Sequence, residues 1–150
     1  MNIQFKIASQ DDKNLLMDFF KHYNNPIVQQ NRTECYTSHN STLIMIIDGN
    51  YGGCIQWYIK EDPNLGVVEL EEFYMKEEYR NRGLGKKLFD AALKAIQDKV
   101  SPLHSVYLFT NKENAIMEHI CYKSGFQNVA EIPDLFEKNV TEILYLKFYL

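Results

Sequence analysis

The stretch Glu71-Glu72-Phe73-Tyr74-Met75-Lys76-Glu77-Glu78-Tyr79-Arg80-Asn81-Arg82-Gly83-Leu84-Gly85-Lys86-Lys87-Leu88 joins two patterns that rarely meet by accident. Its first part completes a strand-like run, Val67–Met75, and a charged turn over 80–85 follows. Beyond the turn, Leu84, Leu88, Ala91, Ala92, Ala95 and Ile96 recur at helical spacing, with Lys86, Lys87, Asp90 and Lys94 largely between them. Residues 83–99 therefore read as an amphipathic, core-facing helix. The first amides of a helix have no intrahelical partner and carry partial positive charge, and glycine lets an anion approach them. The turn is thus a candidate cradle for a phosphate or pyrophosphate, with Arg80, Arg82 and Lys86 adding charge.

Two other phosphate loops are excluded by spacing. A Walker loop needs glycine five residues before Gly-Lys-Ser/Thr, but Arg80 stands there and Gly85-Lys86 is followed by Lys87. The dinucleotide fingerprint needs a third glycine where Leu88 stands. What fits is Arg/Gln-x-x-Gly-x-Gly/Ala, filled by Arg80, Gly83 and Gly85 between a strand and a helix. In this the chain resembles the GCN5-related N-acetyltransferases. The resemblance extends back through 71–80 and forward through Asn114 and Ile120 to Gly125-Phe126, which resembles the family's "GF" strand entry.

Composition sets bounds on the rest. A chain of 150 residues with 45% hydrophobic and 13% aromatic residues suits one packed domain over 1–150 and argues against disorder. A net charge of −4 disfavours nucleic acid as a partner and gives slight weight to a cationic one. Cys35, Cys54 and Cys121 are odd in number and widely spaced, which suits reduced thiols in a cytoplasmic protein rather than a disulfide frame or a zinc site. His22, His39, His104 and His119 are scattered, so no metal is expected. No signal-peptide core or membrane-spanning apolar run is visible, and no membrane partner is expected. A homodimer is compatible with these residues, which do not set the assembly.

In chain order, Ile3, Phe5 and Ile7 alternate as a first strand, Ser9-Gln10-Asp11-Asp12 suits a helix cap, and Leu15, Leu16, Phe19, Phe20 and Tyr23 mark one helical face. After Asn24-Asn25-Pro26, residues 27–41 read as a polar, irregular stretch carrying Arg32, Glu34, Tyr36 and His39; a short second helix is the alternative. Thr42–Ile47, a turn at Asp48-Gly49-Asn50 and a strand over 52–60 form a hairpin. After the central unit, 105–110 reads as an internal strand, 111–123 as a helix ended by Gly125, and 126–132 and 143–150 as strands. The expected architecture is a single-domain α/β fold, with a mixed, largely antiparallel central sheet of six to seven strands and about four flanking helices. By the resemblance, its fourth and fifth strands splay.

The resemblance implies acetyl transfer from acetyl-CoA to an amine. It places the pyrophosphate on amides of Arg82, Gly83, Gly85 and Lys86, the pantetheine arm along the backbone of Phe73, Tyr74 and Met75, and a cofactor contact at Asn114. An amide near Tyr74 would stabilise the oxyanion, a contact worth about 3 kcal/mol when well placed. It also makes the stretch 27–41 the cover of the acceptor site. A lysine-like amine has a reference pKa near 10.4 and needs a base before it can attack. Glu71, nine residues before Arg80, stands where polyamine acetyltransferases carry their glutamate, and Glu69, eleven before it, where histone-type members do. Strict alternation puts Glu69 and Glu71 on one face, and Glu72 on the other with Leu70 and Tyr74.

One position departs from the family. Where many members carry a tyrosine acid, four residues before the glycine of the "GF" pair, this chain has Cys121. Tyr122 is displaced by about 100° around the helix. Cys121 is a candidate acid, a packed structural thiol is the competing reading, and a thiolate with pKa near 8.5 leaves tolerably unaided. The expectation is an acetyl-CoA-dependent N-acetyltransferase acting on a primary amine of a small, cationic substrate of polyamine, aminoglycoside or amino-acid kind. The alternatives are a protein or peptide N-acetyltransferase and a non-catalytic CoA-binding module.

Overall fold

The computed structural model describes residues 1–22, 24–38 and 41–150; Tyr23 and His39, singled out above, lie outside them. Among the described residues, seven strands form one sheet: β1 (Ile3–Ile7), β2 (Thr42–Ile47), β3 (Asn50–Ile59), β4 (Val67–Met75), β5 (Ser105–Asn111), β6 (Gln127–Pro133) and β7 (Thr141–Phe148). Their order is β1-β2-β3-β4-β5-β7-β6, and every pairing is antiparallel except β4 with β5. Among the same described residues, four α-helices flank the sheet: α1 (Lys13–Phe19), α2 (Pro26–Ser38), α3 (Leu84–Lys99) and α4 (Ala115–Lys123).

The larger core lies between the sheet and the α3/α4 face. Ile55, Trp57, Val68, Leu70 and Val106 point there from the strands, and Leu84, Leu88, Phe89 and Ile96 meet them from α3. The apolar stripe read from the sequence is thus the face that α3 buries. Ala91 and Ala95 sit at its partly buried edge. A smaller cluster, Ala8, Leu16, Phe20, Ile44 and Cys54, fills the opposite face under α1. At the entry to α1, Ser9 and Asp12 form a reciprocal capping box, with the backbone amide of Ser9 donating to Asp12 Oδ2 at 2.8 Å.

The segment expected to be irregular is the helix α2. Pro26 occupies its first position, where a missing amide costs nothing, and the Asn25 carboxamide accepts from the amides of Ile27 (2.9 Å) and Val28 (3.4 Å). The helix was hidden in the sequence because its inward face is polar. Thr33 and Thr37 are buried there, and each hydroxyl donates to the carbonyl one turn back, Gln29 and Thr33 respectively, at 2.8 Å. At the other end of the chain, residues 111–114 do not join α4. Asn111 ends β5, and Asn114 caps the helix by accepting from the Met117 amide at 3.1 Å.

Candidate active site

β4 and β5 are paired only at their start, Val67 with Ser105, Val68 with Val106 and Glu69 with Tyr107. Beyond Glu69 the strands diverge, and the edge of β4 that faces β5 has no strand partner among the described residues. The gap opens into a groove of about 1050 Å³ that runs from the β4 carboxylates, past Phe73 and Leu108, to Gly83, Gly85 and Lys86 at the start of α3. Asn114, which caps α4, and His119 within that helix also line it.

The turn at the groove's end leaves its amides open. Gly83 is the N-cap of α3 and has φ +74°, a left-handed conformation that suits glycine, and no side chain caps the helix. A Cβ on Gly83 would meet nothing within 4 Å, so the space over the first helical amides is clear. Asn81 is also left-handed, with φ 61°. Successive amides turned outward by such a backbone, at a helix start, make a concavity suited to an anion. The residues therefore fit a pyrophosphate. The nearby cations are partly committed: Lys86 pairs with Asp90, and Arg80 Nε donates to the Met75 carbonyl at 2.8 Å while its guanidinium lies 5.5 Å from the centre of the Tyr74 ring. Arg82 is exposed.

On the α1/α2 side, the carboxylates are arranged differently from the strict alternation of the sequence. Ile55 pairs with Phe73 but Trp57 pairs with Leu70, so β4 carries one extra residue there: Glu71 and Glu72 both oppose Gln56. This β-bulge resets the alternation. Leu70 and Phe73 both face α3, Phe73 with its ring 6.1 Å from that of Phe89. Tyr74, expected on the face of Leu70, is instead paired with Cys54 and exposed on the opposite side. Glu71 and Glu72 are correspondingly brought together: Arg32 Nη1 of α2 lies 3.4 Å from Glu71 Oε2 and 3.9 Å from Glu72 Oε1.

Glu69 lies deeper, at the last rung before the strands part. Lys60 Nζ stands 2.9 Å from its Oε1, and the Tyr107 hydroxyl donates to the same oxygen at 3.4 Å. Burial pushes the Tyr107 phenol up, and the adjacent Glu69 charge adds to this. Tyr107 and Phe109 share one face of β5, with ring centres 6.1 Å apart, and Phe136 from the β6–β7 connection stands edge-on to Phe109 at 5.6 Å. This aromatic wall was not singled out in the sequence, although period-two alternation along β5 would have put Tyr107 and Phe109 together.

Cys121 is wholly buried in the larger core and does not line the groove. Burial alone pushes its thiol up to about 12. Tyr122 points elsewhere, exposed and edge-on to Tyr145 at 6.2 Å. The Asn114 carboxamide both lines the groove and serves the helix cap. Among the described residues no group of three or more His, Cys, Asp and Glu could hold a metal ion, and no helix is long and apolar enough to cross a membrane.

Comparison with known proteins agrees with this geometry. The model of the acetyltransferase (GNAT) family matches residues 11–126. No curated protein matches the chain in sequence. Among solved structures, YncA from Salmonella typhimurium, described with its cofactor acetyl-CoA, superposes with a TM-score of 0.83 at 16% identity, covering 99% of this chain and 94% of its own. A GNAT-family acetyltransferase from Streptococcus pneumoniae gives 0.80 at 18% identity, over 99% and 100%. NAA60 from Arabidopsis thaliana, in complex with a bisubstrate analogue, gives 0.73 at 15% identity, over 98% of each chain. With the family model spanning most of its length and strands splayed beside an open glycine turn, this chain belongs to the GNAT acetyltransferase family.

Proposed function

We propose that residues 1–150 form one acetyl-CoA-dependent N-acetyltransferase domain that acts on a primary amine of a small, cationic substrate, of polyamine, aminoglycoside or amino-acid kind. The observation that carries this reading is one groove joining the open amides at Gly83 to the carboxylates of Glu71 and Glu72 along the edge of β4 that has no strand partner on the β5 side among the described residues. Acetyl-CoA supplies the acetyl thioester. The amides of Arg82, Gly83, Gly85 and Lys86 bind its pyrophosphate, with charge from Arg80 and Lys86. The edge of β4 at Phe73, Tyr74 and Met75, which has no strand partner on the β5 side among the described residues, aligns the pantetheine arm as an added strand, and Asn114 faces it across the groove.

Glu71 is the base. Its side chain is one-quarter exposed at the mouth, so it reaches an acceptor without leaving the shelter of the strands. It takes a proton from the acceptor ammonium. The nitrogen then forms its bond to the acetyl carbon as the carbon–sulfur bond breaks, and sulfur leaves as thiolate. Glu69 is the less suitable base because Lys60 and Tyr107 already occupy its inner oxygen. Three unbridged thiols suit a cytoplasmic setting.

A second reading, a CoA-binding module without turnover, draws on one observation: the position of the family's tyrosine acid is filled by the buried Cys121. One experiment separates the two. Acetyl-CoA binding is measured by calorimetry, and thiol release is followed against polyamines, aminoglycosides, amino acids and peptides. Amine-dependent release is expected with at least one small amine. Binding without release throughout the panel would replace the enzyme with the module, and release confined to peptides would shift the acceptor to polypeptides.

A further inference from the structure

The acceptor mouth carries a charge arrangement that the reaction itself does not require. Two carboxylates, Glu71 and Glu72, face one guanidinium, that of Arg32, and both contacts use the single nitrogen Nη1. At 3.4 and 3.9 Å they are longer than the 2.7–2.9 Å of a tight charge-assisted pair. Arg32 is 39% exposed, so the gap can be reached from solvent. Phe109 lines the same groove as Glu71 and Glu72, with the rings of Tyr107 and Phe136 edge-on to it, and Phe136 is 69% exposed.

A loose ion pair of this kind suits one type of guest better than others. A zwitterion can enter between the partners without changing the net charge, its cation on the carboxylate and its anion on the guanidinium. Each charge keeps a counter-charge throughout. A diamine brings a second positive charge toward Arg32 and must displace it, and a neutral-tailed amine leaves the guanidinium with the partner it already had. Like-charge juxtaposition of this sort is a common source of discrimination. The guanidinium fork matches a carboxylate geometrically in a way an ammonium does not.

We propose that Arg32 is a specificity-determining residue that selects a free α-amino acid with an apolar side chain, its carboxylate on the guanidinium, its amine on Glu71 and its side chain against the aromatic wall. This rests on the acetyltransferase reading above and narrows its acceptor. The helix α2 then serves recognition as well as packing, because it carries the residue that binds the acceptor's carboxylate.

The test compares kcat/KM for phenylalanine and leucine with kcat/KM for their carboxamides, with putrescine as the diamine, in wild type, Arg32→Gln and Arg32→Lys. The amides are the weaker bases and hold more free amine at neutral pH, so a preference for the acids runs against simple amine chemistry. The wild type is expected to prefer each acid over its amide by about tenfold or more, the scale of one charge-assisted hydrogen bond. Arg32→Gln should remove that preference mainly through KM, and Arg32→Lys should keep part of it. Each ratio is taken on one protein, so a loosened α2 does not imitate the result. Amides used as well as acids by the wild type, an unchanged ratio in Arg32→Gln, or acetylation of putrescine alone would overturn the inference while leaving the transferase intact. Acetyl-CoA binding with no thiol release from any amine of the broader panel would overturn both.

Discussion

A Cβ on Gly85 would stand 3.3 Å from Cζ of Phe73, so the second glycine of the turn is fitted to the strand beneath it rather than to open space. Met75 Cγ at 3.7 Å and Ile120 Cδ1 at 3.8 Å complete the contact. Gly83 is the opposite case, left-handed at φ +74° with nothing within 4 Å of a built Cβ. The two glycines of one motif therefore do different work: Gly85 brings α3 down onto β4, and Gly83 keeps the amides clear.

That division gives a clean test of the phosphate cradle. Asparagine tolerates the left-handed region, so Gly83→Asn should fold with a melting temperature near that of the wild type while its side chain crowds the space over the helix start. Acetyl-CoA affinity should fall by about tenfold, or about 1.4 kcal/mol, by calorimetry. Gly85→Val should lose affinity and also about 1–3 kcal/mol of stability, because its methyls are forced onto Phe73 and Met75. Wild-type affinity in Gly83→Asn would remove the cradle from this turn.

The base is tested through pH. Below the acceptor's own pKa the fraction of free amine grows about tenfold for each unit of pH, so an enzyme without a base recovers as pH rises. Glu71→Gln should lower kcat/KM by about 10²-fold near neutrality and by progressively less in alkali. Glu69→Gln should disturb Lys60 and Tyr107 with a smaller loss of rate. If the profile of Glu71→Gln ran parallel to that of the wild type, the base would lie elsewhere, and Glu69 would be the next residue to examine.

The parts of this molecule that could be read from sequence are those with a strong period. Leu84, Leu88 and Ile96 are spaced for one helical face and are buried along it, and Gly83, between Met75 and that helix, marks a turn that the structure supplies. The parts that escaped are those where polarity or register departs from the rule. Thr33 and Thr37 bury a polar face by bonding their own helix, which leaves α2 without an apolar stripe to detect. The bulge opposite Gln56 shifts every later side chain of β4 by one face, so Tyr74 falls away from Leu70, and Glu71 and Glu72 share Arg32. An insertion of one residue in a register leaves no mark in the sequence of its own strand. It shows only against the partner, β3.

The three thiols provide the last prediction. Cys54 and Cys121 are both wholly buried, and burial pushes each thiol up to about 12, although the Tyr51 hydroxyl opposes this at Cys54; Cys35 on α2 is half-buried. In the native chain a water-soluble disulfide reagent should modify Cys35 first, and all three only after unfolding, since the thiolate is the reactive form. The same burial sets a pH dependence. A thiol raised in the folded state and ordinary in the unfolded one, near 9.0, makes the unfolded chain lose its protons first. Stability is thus full below about pH 9 and falls as pH climbs toward 12, and Cys121→Ala should shallow that fall. Cys121→Ala should also keep turnover within about tenfold of the wild type, because a thiol packed in the core and absent from the groove wall is not placed to protonate the leaving sulfur. Cys121→Tyr, which would restore the family's residue, should instead lose about 1–3 kcal/mol or more by overpacking a fully buried site. A folded Cys121→Ala that binds acetyl-CoA normally but turns over at least tenfold more slowly would show that the thiol takes part in the proton transfer.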